Sequence, residues 1–208
     1  NGSGNTIVQP VATTSALGVT TGRFTSSVAG ARTVSATANG SAITQTAALT
    51  VAIGAASTAT SQITVSAANM TTDSVVTVTV QLVDAVGNAL TSSGGVVTLS
   101  ASLGALSAVT DVGNGSYTAT FTSTVPGTAT ITGVVGGNAI ADDATVSVAV
   151  GAASTATSQV TVSAASMPTD GSVTVTVQLR DAADNALVAS GGTVAISTSV
   201  GVLSAFTN

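Results

Sequence analysis

The chain lacks His, Cys, Trp, Lys and Glu altogether. Most general acid–base, nucleophilic and metal chemistry uses His, Cys, Lys or Glu. Only Asp, Ser, Thr and a single Tyr are left, and a Ser or Thr nucleophile would have no His or Lys to activate it. We therefore expect no catalytic residue, no cofactor and no enzymatic activity.

Charge is scarce and mostly of one sign, with three Arg, eight Asp and a net charge of −5. Nucleic-acid binding depends on Lys and Arg that neutralise successive phosphates. Three Arg on an acidic chain cannot supply that neutralisation. The composition predicts no nucleic-acid partner.

Long apolar runs are also missing, although 44% of the residues are hydrophobic. Val and Ala are interrupted by Thr or Ser at about every second position, and no stretch approaches the ~18 apolar residues of a membrane-spanning helix. We expect no membrane insertion. Low charge with abundant Thr, Ser, Ala, Val and Gly indicates an extracellular or cell-surface protein.

What the chain does contain is a repeat. Aligned without a gap, the segments 54–111 and 151–208 share 40 of 58 residues, at an offset of 97. A period of this size indicates an array of domain-sized modules. The sequence predicts the later part of one repeat in residues 1–53, a complete repeat in 54–150, and the earlier part of a third in 151–208.

Within the complete repeat the apolar pattern has a period of two. Val76, Val78, Val80 and Leu82 alternate with Thr and Gln, and turn residues recur about every ten positions. Seven or eight short strands in such a length are typical of an antiparallel β-sandwich of immunoglobulin type. We predict an all-β fold of tandem sandwiches, one complete and two partial. The predicted inward-facing residues are Val65, Val78, Val80, Leu82, Leu99, Tyr117, Phe121, Ile131 and Val148.

Three motifs carry a family resemblance: VTVTVQLVDAVGNAL at 76–90, GGVVTLSASLGALS at 94–107 and GSYTATFTSTVPGTATITG at 115–133. Together they resemble the bacterial immunoglobulin-like repeats of the invasin and intimin adhesins. The resemblance implies modules that serve as rigid spacers in a stalk. In such proteins, binding is assigned to a tip domain of different sequence.

Two oxygen-rich loops are weak candidates for a calcium site, because oxygen ligands suit a hard cation. Their candidate ligands are Asp84 and Asn88 in one loop, and Asp181 and Asp184 in the other. The alternative is that Asp and Asn form turns by bonding nearby backbone. Few oxygens lie in each loop, which favours turn formation.

Asn39, Asn69 and Asn114 each begin an Asn-x-Ser/Thr triplet and are candidates for N-glycosylation. Frequent Ser and Thr make such triplets common by chance. Asn39 and Asn114 also precede glycine, so turn formation explains them without an attached sugar.

These patterns favour a non-catalytic structural repeat region of an extracellular bacterial fibre, stalk or filament. Its expected partners are adjacent repeats of a longer chain or further copies of itself, arranged head to tail. The alternative is an adhesive module that recognises a host protein or glycan through loops at the ends of the sandwich. Binding surfaces are enriched in Tyr, Trp and Arg, and the scarcity of these residues favours the structural interpretation.

Overall fold

The computed structural model describes residues 4–11 and 13–202. Within them, all regular structure is β-strand. None of these residues belongs to a helix that is long and apolar enough to cross a membrane.

The first segment contains three separate strand pairs. β1 pairs with β2, β3 with β6 and β4 with β5, all antiparallel. The strands are β1 (Asn5–Val8), β2 (Arg23–Ser26), β3 (Gly30–Val34), β4 (Thr37–Ala38), β5 (Ser41–Ala42) and β6 (Ala47–Val51).

The central segment is a two-sheet sandwich. One sheet has the order β10-β14-β16-β8, with β15 beside β14, and the other has β11-β13-β9-β7, with β12 beside β13. Only the β8–β16 pair is parallel. The strands are β7 (Gln62–Val65), β8 (Asn69–Thr71), β9 (Val76–Gln81), β10 (Val97–Ala101), β11 (Ala105–Leu106), β12 (Thr110–Asp111), β13 (Ser116–Thr122), β14 (Gly127–Val135), β15 (Asn138–Ala139) and β16 (Ala144–Ala149).

The core lies between the two central sheets, and the alternation in sequence produces it. Successive side chains of a strand point to opposite faces, so in β9 the Val residues are buried while Thr77 is exposed. Of the nine predicted inward-facing residues, seven are buried, and Val65 and Leu99 are half-buried and pack against the core. The predicted all-β sandwich is confirmed, with more strands than expected because several consist of two or three residues.

The buried hydroxyl of Tyr117 both donates and accepts a hydrogen bond. The Tyr117 hydroxyl donates to the Gly95 carbonyl at 2.7 Å and accepts from the Gly94 N–H at 3.0 Å. A buried hydroxyl costs free energy unless it is hydrogen-bonded. Tyr117 therefore fixes the loop before β10 to the core.

The third segment forms one strand pair, β17 (Gln159–Val162) with β18 (Val175–Gln178). Its register repeats that of β7 with β9, shifted by the offset of the repeat. The burial does not repeat: Ile63 of β7 is 3% exposed, whereas the matching Val160 is 67% exposed. No strand forms at positions 194–198, which match β10, and β14, the strand that pairs with β10 in the central repeat, has no counterpart within the described residues.

Candidate functional site at the junctions between repeats

Two loops of the same pattern lie where one repeat meets the preceding one. Each begins with Asp and ends with Asn, at 84–88 and 181–185. The two Asp side chains are buried, Asp84 with 3% and Asp181 with 1% exposure. A buried carboxylate must be satisfied by donors, so the partners of these two groups indicate what the loops do.

Asp84 joins its own turn to the chain that enters the repeat. Its Oδ1 accepts hydrogen bonds from the N–H groups of Val86 at 3.1 Å and Asn88 at 2.8 Å. Its Oδ2 accepts from the Asn88 side-chain amide at 2.8 Å and from the Gly54 N–H at 3.0 Å. One carboxylate thus closes the loop and holds the connecting segment against it.

Asn88 reaches across to the preceding segment. Its Nδ2 donates to the Ser27 carbonyl at 3.0 Å, and its Oδ1 accepts from the Ala29 N–H at 3.4 Å. Ser27 and Ala29 lie in the loop between β2 and β3. The Asp84–Asn88 pair therefore bonds both to the connecting segment and to the body of the previous repeat.

The second junction repeats this arrangement. Asp181 accepts from the N–H groups of Ala183 at 3.0 Å and Asn185 at 2.8 Å, and from the Gly151 N–H at 3.2 Å. Asn185 Nδ2 donates to Asp181 and, at 2.8 Å, to the carbonyl of Thr124. Asn185 lies 61 residues after Thr124, and Asn88 lies 61 residues after Ser27. We call each such set of contacts a junction clamp.

Thr72 adds a further contact at the second junction clamp. Its hydroxyl donates to Asp181 Oδ2 at 2.5 Å and accepts from the Gly151 N–H at 2.9 Å. A Cβ atom at position 151 would lie 2.9 Å from this hydroxyl oxygen and 3.2 Å from Asp73 Oδ1. Glycine is therefore needed here so that the connecting segment can approach the central repeat closely.

Hydrogen bonding lowers the pKa of both junction carboxylates. The Asn88 side-chain amide is the main cause of the lowered pKa of Asp84, about 2, with further help from backbone N–H groups and against the opposing effect of burial. For Asp181 burial raises the pKa, but the hydrogen bonds from Thr72 and Asn185 together outweigh it and the pKa is lowered. Hydrogen bonds to a charged form favour that form, so both groups are carboxylates at neutral pH.

The structure brings three of the four calcium candidates, Asp84, Asn88 and Asp181, into the junction clamps. The fourth, Asp184, turns away from Asp181: its carboxylate lies 3.4 Å from Arg180 NH1, which also donates to the Asp184 carbonyl. Among the described residues there is no group of three or more His, Cys, Asp or Glu that could hold a metal ion. The observed hydrogen bonds support the turn-forming interpretation.

The three glycosylation candidates are all exposed. Asn39 is in the turn between β4 and β5, and Asn69 is the first residue of β8. Asn114 precedes β13, and its Oδ1 accepts from the Ser116 N–H at 3.1 Å. Each position is accessible, and glycosylation of any of them stays a prediction.

The sequence did not reveal the partners that cross between repeats. Thr72 and the carbonyls of Ser27 and Thr124 carry no local motif, and the repeat spacing is the only signal that could have found them. Asp142 is a similar case: its carboxylate accepts from the Ile63 N–H at 2.7 Å, 79 residues away, and so ties the loop before β16 to β7.

Comparison with known proteins shows which family model and which solved structures the chain resembles. Residues 57–151 match the family described as "Invasin, domain 3". No curated protein matches the chain in sequence. The crystal structure of invasin, a bacterial integrin-binding protein, is similar over 84% of this chain and 37% of its own length, with 25% identity and a TM-score of 0.53.

Two further adhesin structures are similar over most of the chain. The Escherichia coli adhesin FdeC matches 89% of this chain and 62% of its own chain, with 25% identity and a TM-score of 0.56. Yersinia pseudotuberculosis InvD matches 89% of this chain and 59% of its own, with 24% identity and a TM-score of 0.53. The chain thus spans less than two thirds of each of these structures. Residues 57–151 thus resemble domain 3 of invasin, and the chain shares the immunoglobulin-like fold of these bacterial adhesin structures. The extracellular or cell-surface location expected from composition agrees with these similarities.

Proposed function

We propose that these immunoglobulin-like repeats form a non-catalytic stalk or fibre, whose task is to hold neighbouring parts of a surface protein at a fixed distance and orientation. The observation that carries the proposal is the repetition of the centre of the junction clamp. At both junctions, an Asp carboxylate accepts from its own turn and from the connecting glycine, and an Asn amide donates to a carbonyl 61 residues earlier. A flexible tether needs no such contacts, whereas a rod needs them at every junction.

The connection between repeats supports a stiff rod for a second reason. The central sandwich ends at Ala149, and Gly151 is already held by Asp181 and Thr72. Flexible linkers are rich in Gly and Ser and run free of the domains they join. Here almost no chain is free between one repeat and the next.

The test is a comparison of asparagine variants. The double variant Asn88→Ala, Asn185→Ala should lose the asparagine bonds to Ser27, Ala29 and Thr124. Asn138→Ala is the matched control, because Asn138 is exposed and its side chain bonds within its own repeat, to the Gly136 carbonyl. The chain has no Cys, so Cys introduced at the exposed positions Val112 and Val188 can carry a specific pair of spin labels. We expect a narrow distribution of distances between the two spin labels in the parent and the control, and a broad distribution in the double variant. A narrow distribution in all three proteins contradicts the proposal.

We also propose that the first and third segments are covered by repeat polypeptide outside the 208 residues, as further repeats of a longer chain or as another copy. Leu49 is 42% exposed, whereas Val146, its counterpart in the central repeat, is 0% exposed. Such faces and open sheet edges favour pairing with more strands. A purified chain that stays monomeric in sedimentation, with both outer segments resistant to protease, argues against this completion.

A second candidate function is adhesion to a host protein or glycan, and the integrin-binding activity of invasin is the observation that favours it. Loops at the ends of the sandwich would form the contact. The purified chain immobilised on beads should then retain host cells, and substitution of an end loop should release them. Retention of no cells leaves the stalk as the function.

A further inference from the structure

The turn between β4 and β5 carries the sequence Asn39-Gly40. Asn39 has φ of 50° and Gly40 has φ of 82°, the conformation of a two-residue type I′ hairpin turn, which Asn-Gly favours. Both residues are exposed, and a Cβ added at Gly40 would meet nothing within 4 Å. Within the described residues the Asn39 side chain makes no hydrogen bond.

We propose that Asn39 is a site of spontaneous deamidation. The Gly40 nitrogen attacks Asn39 Cγ, a C–N bond forms, and the side-chain nitrogen leaves as ammonia with the proton of the Gly40 N–H. Water then opens the cyclic imide at either carbonyl and yields aspartate or isoaspartate. Glycine favours this reaction because it has no side chain to hinder the attack, and the exposed turn admits the water.

The hairpin can open to reach the reactive geometry. β4 and β5 have two residues each, and residues 33–50 are all exposed. Segments with few buried contacts open locally at little cost in free energy. The Gly40 nitrogen can therefore approach Asn39 Cγ without disturbing the packed central sandwich.

Asn114-Gly115 has the same sequence but a different environment. Asn114 Oδ1 is held by the Ser116 N–H, and the Gly115 carbonyl accepts from the Leu82 N–H at 2.8 Å. Gly115 is buried, and a Cβ there would lie 2.5 Å from the Leu90 carbonyl oxygen. The backbone at this pair is fixed, so we expect it to react more slowly than Asn39.

Deamidation changes the first segment without touching a junction clamp. It adds one negative charge, and the isoaspartate product adds one atom to the main chain of a turn that has room for only two residues. The turn lies beyond the end of β3, whereas the Ser27–Ala29 loop bonded to Asn88 precedes the start of β3. The fraction converted grows with time and so records the age of the exposed chain.

The experiment follows both pairs by peptide mass spectrometry after incubation at mildly alkaline pH, in protein made in a host without N-glycosylation. In the folded protein, the Asn39 peptide should increase in mass by one unit and form isoaspartate about tenfold faster than the Asn114 peptide. In urea, the two peptides should react at the same rate, because local opening then costs no free energy. Equal rates in the folded protein overturn the proposal.

Two variants distinguish the effect of the turn on the reaction rate from the effect of the incomplete first segment. The central repeat has Gly136-Gly137 at the matching turn, with φ of 57° and 85°, so Asn39→Gly copies a turn that the fold already contains and should abolish the reaction. Gly136→Asn places Asn-Gly in the same turn of a complete sandwich and should react within a few-fold of Asn39. If this variant stays unchanged while Asn39 reacts, local opening of the exposed first segment and not the turn alone sets the rate. If neither Asn39 nor this variant reacts, the proposal is wrong.

Discussion

At the scale of single residues, the junction clamps show how a nearly uncharged protein uses its few carboxylates. Within the described residues neither Asp84 nor Asp181 forms an ion pair, since Arg180 pairs with Asp184 instead. N–H and O–H donors take the place of a counter-ion. A carboxylate that accepts several such bonds stays charged although it is buried. The clamp therefore depends on the ionised form.

The lowered pKa of Asp84 predicts how the stability of the protein changes at acidic pH. The folded pKa of Asp84, about 2, is below its ordinary value of 3.8, so its contribution to stability is present above pH 3.8 and is lost as the pH falls towards 2. We expect the denaturant midpoint to be flat above pH 5 and to fall across this window. Asp84→Asn should remove part of the fall and lower the midpoint at neutral pH, and the exposed Asp143→Asn should do neither. A midpoint independent of pH down to 2 contradicts this account.

Phe121 gives a second prediction at this scale. It is fully buried in the central sandwich, whereas the matching Phe24 of the first segment is half-buried. Phe121→Ala should destabilise the central sandwich by about 3–5 kcal/mol, because the transfer and cavity terms add. Phe24→Ala is the matched control and should cost clearly less. A loss below about 1 kcal/mol for Phe121→Ala in denaturant unfolding would place Phe121 outside the core.

Residues of the core could be predicted from sequence, and the residues of the clamps only in part. Phe121 and Tyr117 follow from a period of two, which is a local signal. Asp84 and Asn88 were recognised as turn residues, but their bonds to Gly54 and Ser27 join positions 30 and 61 residues apart. Local pattern carries no information about such contacts until the whole fold is known.

At the scale of elements, similar sequence produces different structure in the second and third repeats. β17 and β18 keep the register of β7 and β9 because hairpin pairing depends on nearby residues. The strand matching β10 does not form, because its partner is distant in sequence and absent here. The alternation correctly predicts the strands of the central repeat, but whether a strand pairs depends on whether a neighbouring strand is available.

The third segment should therefore fold further once its missing strands are supplied. Appending a copy of residues 112–150 after position 208 completes the third repeat in the alignment. We expect amide protection of β17 and β18 to rise to that of β7 and β9, because Val160 and Val162 then become buried as Ile63 is. A scrambled 39-residue extension is the control. No gain in protection with the native extension would mean that the two repeats fold differently despite their sequence.

At the scale of the whole molecule, the stiffness that we propose rests on short junctions with saturated hydrogen bonds. Each junction clamp uses one buried carboxylate, one amide and one connecting glycine. Such polar contacts are directional, so they set the angle between repeats as well as the distance. In the stalk that we propose, such junctions would carry orientation from one repeat to the next.

Asn88 and Asn185 both donate to the same kind of acceptor, a main-chain carbonyl, and this has a consequence for how such proteins change length. Each asparagine donates to a main-chain carbonyl, of Ser27 in one case and Thr124 in the other, so the side chain on the accepting loop is free to vary. We therefore expect a repeat that keeps its own Asp and Asn to retain this bond whatever side chains the preceding repeat carries on the accepting loop. Whole repeats could then be inserted or deleted without loss of the asparagine bonds, and the length of the protein would change in steps of one repeat.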